Sequence, residues 1–245
     1  MKEERTAMIF AAGLGTRLYP LTANKPKALV EINGVTLLER SIRKLESAGI
    51  RHIIINIHHF GEQIIDFLAQ HTFTAQIDIS DERNQLLDTA GGLKHAEPLL
   101  GNAKEILLYN VDILSDIDLN ALYTYHHSMK AVATIAIRRR QTSRYFLFDK
   151  ENTLCGWCNH STGEKNITRL ASPLQEYAFS GIHILNRKLL SLIPPQKKLS
   201  ITPFYLNCAE KYLIKGYLHT NDFWIDCGKI QDIEQLQQKQ LDNLL

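Results

Sequence analysis

The apolar positions of the chain fall into short runs separated by amphipathic stretches. Ala7–Ala11 is an apolar run that stops at a glycine, and His52–Ile57 is a β-branched run; both read as buried strands. Gln76–Ser80, Ile106–Tyr109 and Ala131–Ile137 repeat the pattern. Helical spacing appears between them. Leu37–Ala48 sets Leu37, Leu38, Ile42 and Leu45 near one face, with Gly49 placed as a C-terminal cap. Glu62–Gln70 does the same with Ile64, Ile65 and Leu68, and Gly91–Leu99 and Leu119–His127 read as further helices. Strand and helix in alternation predict an α/β fold. The expected form is a doubly wound, mainly parallel, Rossmann-like sheet flanked by helices. The stretch Tyr145–Ile184 breaks the rhythm: it is β-like and irregular, and is expected to complete the sheet and form a small β-rich lid. Pro194–Lys198 reads as a polar turn, Thr202–Lys215 as a helix and Ile230–Leu245 as a closing helix. No repeat or low-complexity linker divides residues 1–245, which are read as a single domain.

Composition narrows the classes. The 245 residues are 44% hydrophobic and 22% charged, enough for one sizeable core, and a net charge of +2 gives no electrostatic case for nucleic acid or a membrane surface. No run approaches the roughly 20 apolar residues that span a bilayer, and the first residues carry no signal-peptide pattern. Of the four cysteines, Cys155 and Cys158 form a C-x-x-C, while Cys208 and Cys227 stand alone. Without a second pair or a thioredoxin-like context they read as plain reduced thiols, so the cytoplasm is the expected location.

Candidate chemistry begins after the first strand, at Phe10–Ala11–Ala12–Gly13–Leu14–Gly15–Thr16–Arg17. Gly13 and Gly15 permit positive φ and let phosphate oxygens approach the backbone, whose successive N–H groups can form an anion nest. Arg17 stays cationic and can clamp phosphates through two donors. The loop ends a strand, where open α/β sheets bind ligands. It is not a Walker loop, because Arg17 follows Thr16 where that pattern ends in Gly-Lys-Ser/Thr. It is not the dinucleotide fingerprint either, because Leu18 stands where the third glycine belongs.

The longer string from Ala11 to Ile50 resembles the opening of the sugar-1-phosphate nucleotidyltransferases, whose pattern is close to A-A-G-x-G-T-R-L-x-P-L-T followed by P-K-x-L. The likeness continues through Asp112 and returns at Trp224–Gly228. It implies that loop residues Ala11 to Arg17 bind the nucleotide and that Arg17 and Lys27 act at the reacting phosphates, Lys27 rather than Lys25 matching the family lysine. A cation there would offset charge building on the α-phosphate. Asp112 and Asp226 resemble the family's metal pair, which implies Mg²⁺ as cofactor, an ion suited to carboxylates and phosphate oxygens. Leu87–Leu93 resembles the L-x-T-A-G-G stretch and implies base contacts at Gly91 and Gly92, with Gln85 also reaching the base. Asn110 matches a residue frequent in the uridylyltransferase branch and is expected at the ribose or sugar phosphate. Phe179–Ile182 matches F-S-G-I, which turns the Gly181 backbone to the sugar. Glu164 and Lys165 are a candidate acidic and basic pair for sugar hydroxyls and phosphate.

One position departs from the pattern. Val111 stands where the family has glycine before the first aspartate, so either the backbone is ordinary there or the site is narrowed. His58 and His59 read as surface or core residues for want of a third ligand, and Arg138–Arg140 as a solvated strand end. The reaction implied is in-line attack of a sugar 1-phosphate oxygen on the α-phosphorus of a nucleoside triphosphate, with release of pyrophosphate. A short chain without hexapeptide repeats points to UTP and to the bacterial N-acetylmuramate 1-phosphate uridylyltransferases. Mannose-1-phosphate guanylyltransferases and phosphocholine cytidylyltransferases are alternatives, and Val111 keeps open a non-catalytic nucleotide-sugar sensor on the same fold. The expected partners are an NTP and a sugar 1-phosphate, with no nucleic acid and no membrane; a homodimer is left open.

Overall fold

The computed structural model describes residues 5–238. Its first half runs β1 (Thr6–Phe10), the hairpin β2 (Glu31–Ile32) and β3 (Val35–Thr36), α1 (Leu37–Ser47), β4 (His52–Ile57), α2 (Gly61–Gln70), β5 (Gln76–Asp81), α3 (Asp88–His95), β6 (Glu105–Asn110), β7 (Ile113–Ser115) and α4 (Leu119–Met129). The second half runs β8 (Ala133–Arg138), β9 (Arg144–Phe148), β10 (Leu154–Asn159), β11 (Glu164–Ile167), β12 (Gln175–Asn186), α5 (Ile201–Ala209), β13 (Ile214–Leu218), β14 (Trp224–Asp226) and α6 (Ile230–Gln237).

The parallel ladders β6–β1–β4–β5 form the centre of the sheet. Both faces of these strands are buried, which is why they read as continuous apolar runs. Ala7 and Ile9 face one cluster with Ile53, Ile55, Leu107 and Tyr109, packed against α1, α2, α4 and α6. Met8 and Phe10 face the other with Ile54 and Leu108, packed against α3 and α5. Helix α1 opens where Thr36 Oγ1 accepts the Glu39 N–H at 3.1 Å, a side-chain cap on the first turn.

The sheet as a whole is mixed, because β12 enters it antiparallel to β6 and β8. This strand serves two sheets. Ile182–Asn186 pairs with β6, while Gln175–Tyr177 pairs with β9 and so carries the antiparallel set β9–β10–β11. Between them the register with β8 slips from Phe179 to His183, and Gly181 sits in the slip with φ +75°.

Several expectations shift. The helix read over Thr202–Lys215 stops at Ala209; Ile214–Leu218 is instead β13, parallel to β8. Lys215 hid the strand. Its side chain is buried, with Nζ donating to the Glu151 carbonyl at 2.9 Å and Thr153 Oγ1 at 3.0 Å, so a charged residue occupies a core position. The helix read over Gly91–Leu99 starts earlier, at Asp88, and gives way to a 3₁₀ turn at Glu97–Leu100, where Pro98 has no N–H to continue it. The closing helix is described over Ile230–Gln237; its expected continuation from 239 lies outside the described residues.

Candidate active site

The glycine loop leaves the C-terminal end of β1 and is tied to its neighbours by buried polar groups. Asn56, near the end of β4, accepts the Ala11 and Ala12 N–H groups on Oδ1 at 2.7 and 3.3 Å. Its Nδ2 donates to Glu82 Oε1 at 2.8 Å, and Glu82 Oε2 accepts the Leu87 N–H at 3.2 Å. Glu82 is 2% exposed, and that burial pushes its carboxyl up from the ordinary carboxylate range. The chain Ala11–Asn56–Glu82–Leu87 thus fixes the loop relative to the entry of α3. Gly15 turns the loop with φ +66°, and a Cβ there would come within 3.0 Å of Lys27 Cβ and Thr22 Cγ2. The loop from Phe10 to Arg17 lines a cavity of about 440 Å³ with Lys27, Asn110 and Asp112; Leu86, Asp88 and Thr89 stand on the opposite wall.

A two-stranded ribbon brings the aspartates together. β7 and β14 pair antiparallel with Asp226 opposite Ile113, and the Cys227 N–H donates to the Asp112 carbonyl at 2.8 Å. Asp112 and Asp226 therefore meet at one end of the ribbon although 114 positions separate them in the chain (226 minus 112). Lys27 Nζ forms an ion pair with Asp112 Oδ2. Burial, then the Asp112 carboxylate beside it, raises the Asp226 carboxyl, while Lys27 and Arg17 pull it back. A Cβ on Gly228 would lie 2.6 Å from both Arg17 Nη2 and Asp226 Oδ1, so this position admits only glycine while the arginine lies there.

Val111 borders the first cavity but leaves the backbone there regular. Its side chain is buried in the core, its N–H donates to the Phe10 carbonyl at 3.3 Å, and its φ lies outside the left-handed region. The backbone before Asp112 is ordinary, and the one feature favouring a sensor loses its force.

A second cavity, of about 930 Å³, shares Arg17, Asn110 and Asp112 with the first and extends to Gly181, Trp157, Trp224 and Arg140. Gly181 presses on Asn110: a Cβ there would lie 3.1 Å from Asn110 Nδ2 and 2.6 Å from Ile113 Cγ1. Trp224 Nε1 donates to the Ser180 carbonyl at 2.8 Å, and the guanidinium groups of Arg138 and Arg140 lie 5.2 and 4.8 Å from its ring centre. Of the run expected to be a solvated strand end, only Arg139 is exposed; Arg138 and Arg140 are half-buried against Trp224. Arg140 lines the cavity, donates to the Phe179 carbonyl at 3.4 Å, and keeps a buried Nε with no hydrogen-bond partner. Behind this wall Ser180 Oγ lies 2.7 Å from His219 Nε2, and His219 Nδ1 lies 2.9 Å from Asp222 Oδ2. The residue types are those of a hydrolytic triad, but Ser180 is fully buried, so its hydroxyl reaches no substrate and the chain anchors the wall.

Not every expected residue reaches the cleft. Gly91 and Gly92 are buried in α3 and are glycines for packing. A Cβ on Gly91 would lie 2.3 Å from the Lys197 carbonyl, and one on Gly92 would lie 2.4 Å from Glu82 Oε1. Neither lines either cavity, and nor does Gln85, which is exposed and gives its N–H to the Glu82 carbonyl at 3.0 Å. Glu164 and Lys165 sit exposed on the edge strand β11, outside the acceptor cavity. Asn56, Glu82 and Arg140 are what sequence reading missed. Asn56 left a signal, a lone amide within a β-branched run at the ligand end of a strand.

Comparisons with known proteins show the family. The model of the Nucleotidyl transferase family matches residues 6–243. N-acetylmuramate alpha-1-phosphate uridylyltransferase of Neisseria meningitidis serogroup B is 41% identical over 238 residues, 94% of this chain and 96% of that protein. The protein of the same name from Caulobacter vibrioides is 40% identical over 111 residues, 44% of this chain and 46% of its own length. Among solved structures, HddC from Yersinia pseudotuberculosis shares the fold with a TM-score of 0.76 at 22% identity, covering 95% of this chain and 98% of that one. The chain belongs to the nucleotidyl transferase family, as a sugar-1-phosphate nucleotidyltransferase. Among the described residues no helix is long and apolar enough to cross a membrane.

Proposed function

We propose that the protein transfers UMP from UTP to N-acetylmuramate 1-phosphate, releasing pyrophosphate, with Mg²⁺ held by Asp112 and Asp226. The observation that carries the reading is the meeting of Arg17, Asn110 and Asp112 at the border between the two cavities, with Lys27 and Asp226 beside them. A nucleotide on the loop side and a sugar phosphate on the other would touch there.

Two carboxylates drawn together, one raised by its burial and then by the other, fit a hard dication with oxygen ligands. Bound there, the ion would neutralise triphosphate charge and orient the phosphates. The protein's own groups do the rest. The loop N–H groups between Gly13 and Arg17 cradle phosphate oxygens, Arg17 clamps them, and Lys27 moves from Asp112 to the charge that grows on the α-phosphate. Positioning and charge neutralisation suffice, with no covalent intermediate.

The acceptor side supports an acidic sugar. Arg140 adds cationic donors beyond those the phosphates use, and its buried Nε lacks a partner. N-acetylmuramate offers a carboxylate in addition to its phosphate, and a guanidinium pairs with either through two bonds. The name of the Neisseria relative gives the same sugar. The four cysteines are free thiols, in keeping with work in the cytoplasm beside the nucleotide pool.

The test is pyrophosphate release from a matrix of four NTPs and several sugar 1-phosphates with Mg²⁺. Fastest release with UTP and N-acetylmuramate 1-phosphate is expected. A faster reaction with GTP and mannose 1-phosphate would replace this reading, and UTP binding without release from any pair would favour a sensor.

A further inference from the structure

The outer sheet carries a cluster of metal-binding side chains that nucleotidyl transfer does not use. Cys158 on β10, His160 just beyond it and Glu176 on β12 bring one ligand atom each within 4.8 Å of one another. Cys158 lies near the end of β10 and His160 in the turn that follows, and their ligand atoms come to the same side of the sheet as Glu176. Glu176 lies opposite Leu147 of β9, whose other neighbour Gly156 has no side chain; from there it reaches over to Cys158. The Cys158 thiol donates to Glu176 Oε1 at 3.6 Å, and His160 Nε2 lies 3.0 Å from Glu176 Oε2.

We propose that Cys158, His160 and Glu176 form a zinc site, separate from Asp112 and Asp226. Sulfur, imidazole nitrogen and carboxylate oxygen together suit Zn²⁺ and are a poor set for Mg²⁺. With Zn–S at about 2.3 Å and Zn–O at about 2.1 Å, a tetrahedral edge between sulfur and oxygen is about 3.6 Å, the separation already present between Cys158 and Glu176. Zinc would take Cys158 as the thiolate, with release of the thiol proton, and His160 through Nε2 with its proton on Nδ1. Three protein ligands leave a fourth position to water. The half-exposed His160 and Glu176 give the ion a way in. Cys155 takes no part, since its thiol is turned to the Thr153 carbonyl at 3.3 Å. The ion would clamp the β10–β11 hairpin to β12. Trp157, the neighbour of Cys158 on β10, lines the acceptor cavity, so the clamp would hold that wall.

The test uses the full chain, reduced with a phosphine, stripped of metal and then titrated with Zn²⁺ or Co²⁺ in saturating Mg²⁺. One equivalent of zinc is expected to bind and to raise the melting temperature. One equivalent of Co²⁺ is expected to give the near-ultraviolet sulfur-to-cobalt charge-transfer band of a thiolate ligand. Cys158→Ser should abolish that band, and His160→Ala, a substitution at a half-exposed position, should weaken zinc by at least about tenfold. Cys155→Ser should keep both. Absence of a thiolate band in the wild type, or zinc affinity unchanged in Cys158→Ser and His160→Ala, would overturn the proposal. Loss of Asp226 should leave the band intact, which keeps this site distinguishable from the one at the reacting phosphates.

Discussion

The two cavities of the cleft are built by different means. The first cavity is bordered by a short glycine loop, held in place by Asn56 on β4 and Glu82 just past β5, and on the proposed reading its backbone N–H groups would take the phosphates. The second cavity, proposed for the acceptor, is lined by the side chains Trp224, Trp157 and Arg140, carried by β14, β10 and the segment after β8. A backbone cradle reads phosphate, which every nucleoside triphosphate has, and depends little on which side chains surround it. A wall of side chains would discriminate among sugars and changes with each substitution.

The largest test of this contrast removes the group that lies between the halves. Lys27→Ala is expected to lower kcat about 10²- to 10³-fold with both substrates still bound and the melting curve little changed. Near-normal pyrophosphate release from the folded variant would remove Lys27 from the mechanism. Next comes the nucleotide end alone. Asn56→Ala strands two loop N–H groups and the buried Glu82 carboxylate; a stability loss of about 1–3 kcal/mol by chemical denaturation is expected. The NTP KM should rise while the sugar-phosphate KM holds, and equal rises in both would erase the distinction between the ends. At the acceptor end, Arg140→Met should do the reverse, raising the sugar-phosphate KM about tenfold, on the order of 1.4 kcal/mol, with the NTP KM unchanged.

The smallest effect on catalysis is expected far from the cleft. Glu105, at the opposite end of β6, is held down to about 2 by hydrogen bonds from His126 and His127. The ionised form is favoured by the fold, so its contribution to stability is complete above the unfolded value of 4.5 and fades as pH falls towards about 2. Glu105→Gln should cost about 1 kcal/mol near neutral pH, allowing for solvent screening, with neither KM moved. The difference from wild type, followed by denaturation at several pH values, should shrink in acid; a difference that grows in acid would contradict the assignment.

What the sequence disclosed follows the same division. That the loop, Lys27 and both aspartates would lie together at one cleft was readable because each sits in a short string that resembles a family motif. So was the parallel centre, whose two-sided burial leaves unbroken apolar runs such as His52–Ile57. The supports were harder to read. Glu82 looks like a surface acid in a polar stretch, and only the fold shows it shut in behind Asn56. Arg140 looked solvated because a basic run usually is; its burial depends on Trp224, 84 positions further along (224 minus 140). Glu164 was expected at the sugar because nothing in the irregular middle fixes which residues of a hairpin face inward. Gly91 and Gly92 were rightly singled out as needing to be small, but the close approach is to Lys197 and Glu82, not to an open cavity.

The double pairing of β12 has a consequence for how such a protein can diverge. Strands β9, β10 and β11 form one continuous excursion between β8 and β12, two strands that already pair with each other. The excursion can be lengthened, shortened or exchanged without shifting the register of β6, β1, β4 and β5. The loop, Lys27 and Asp112 lie outside it. A change confined to that contiguous stretch would alter Arg140 and Trp157 on one wall of the second cavity, while Gly181 and Trp224 on the same cavity and the loop with Lys27 and Asp112 are inherited untouched.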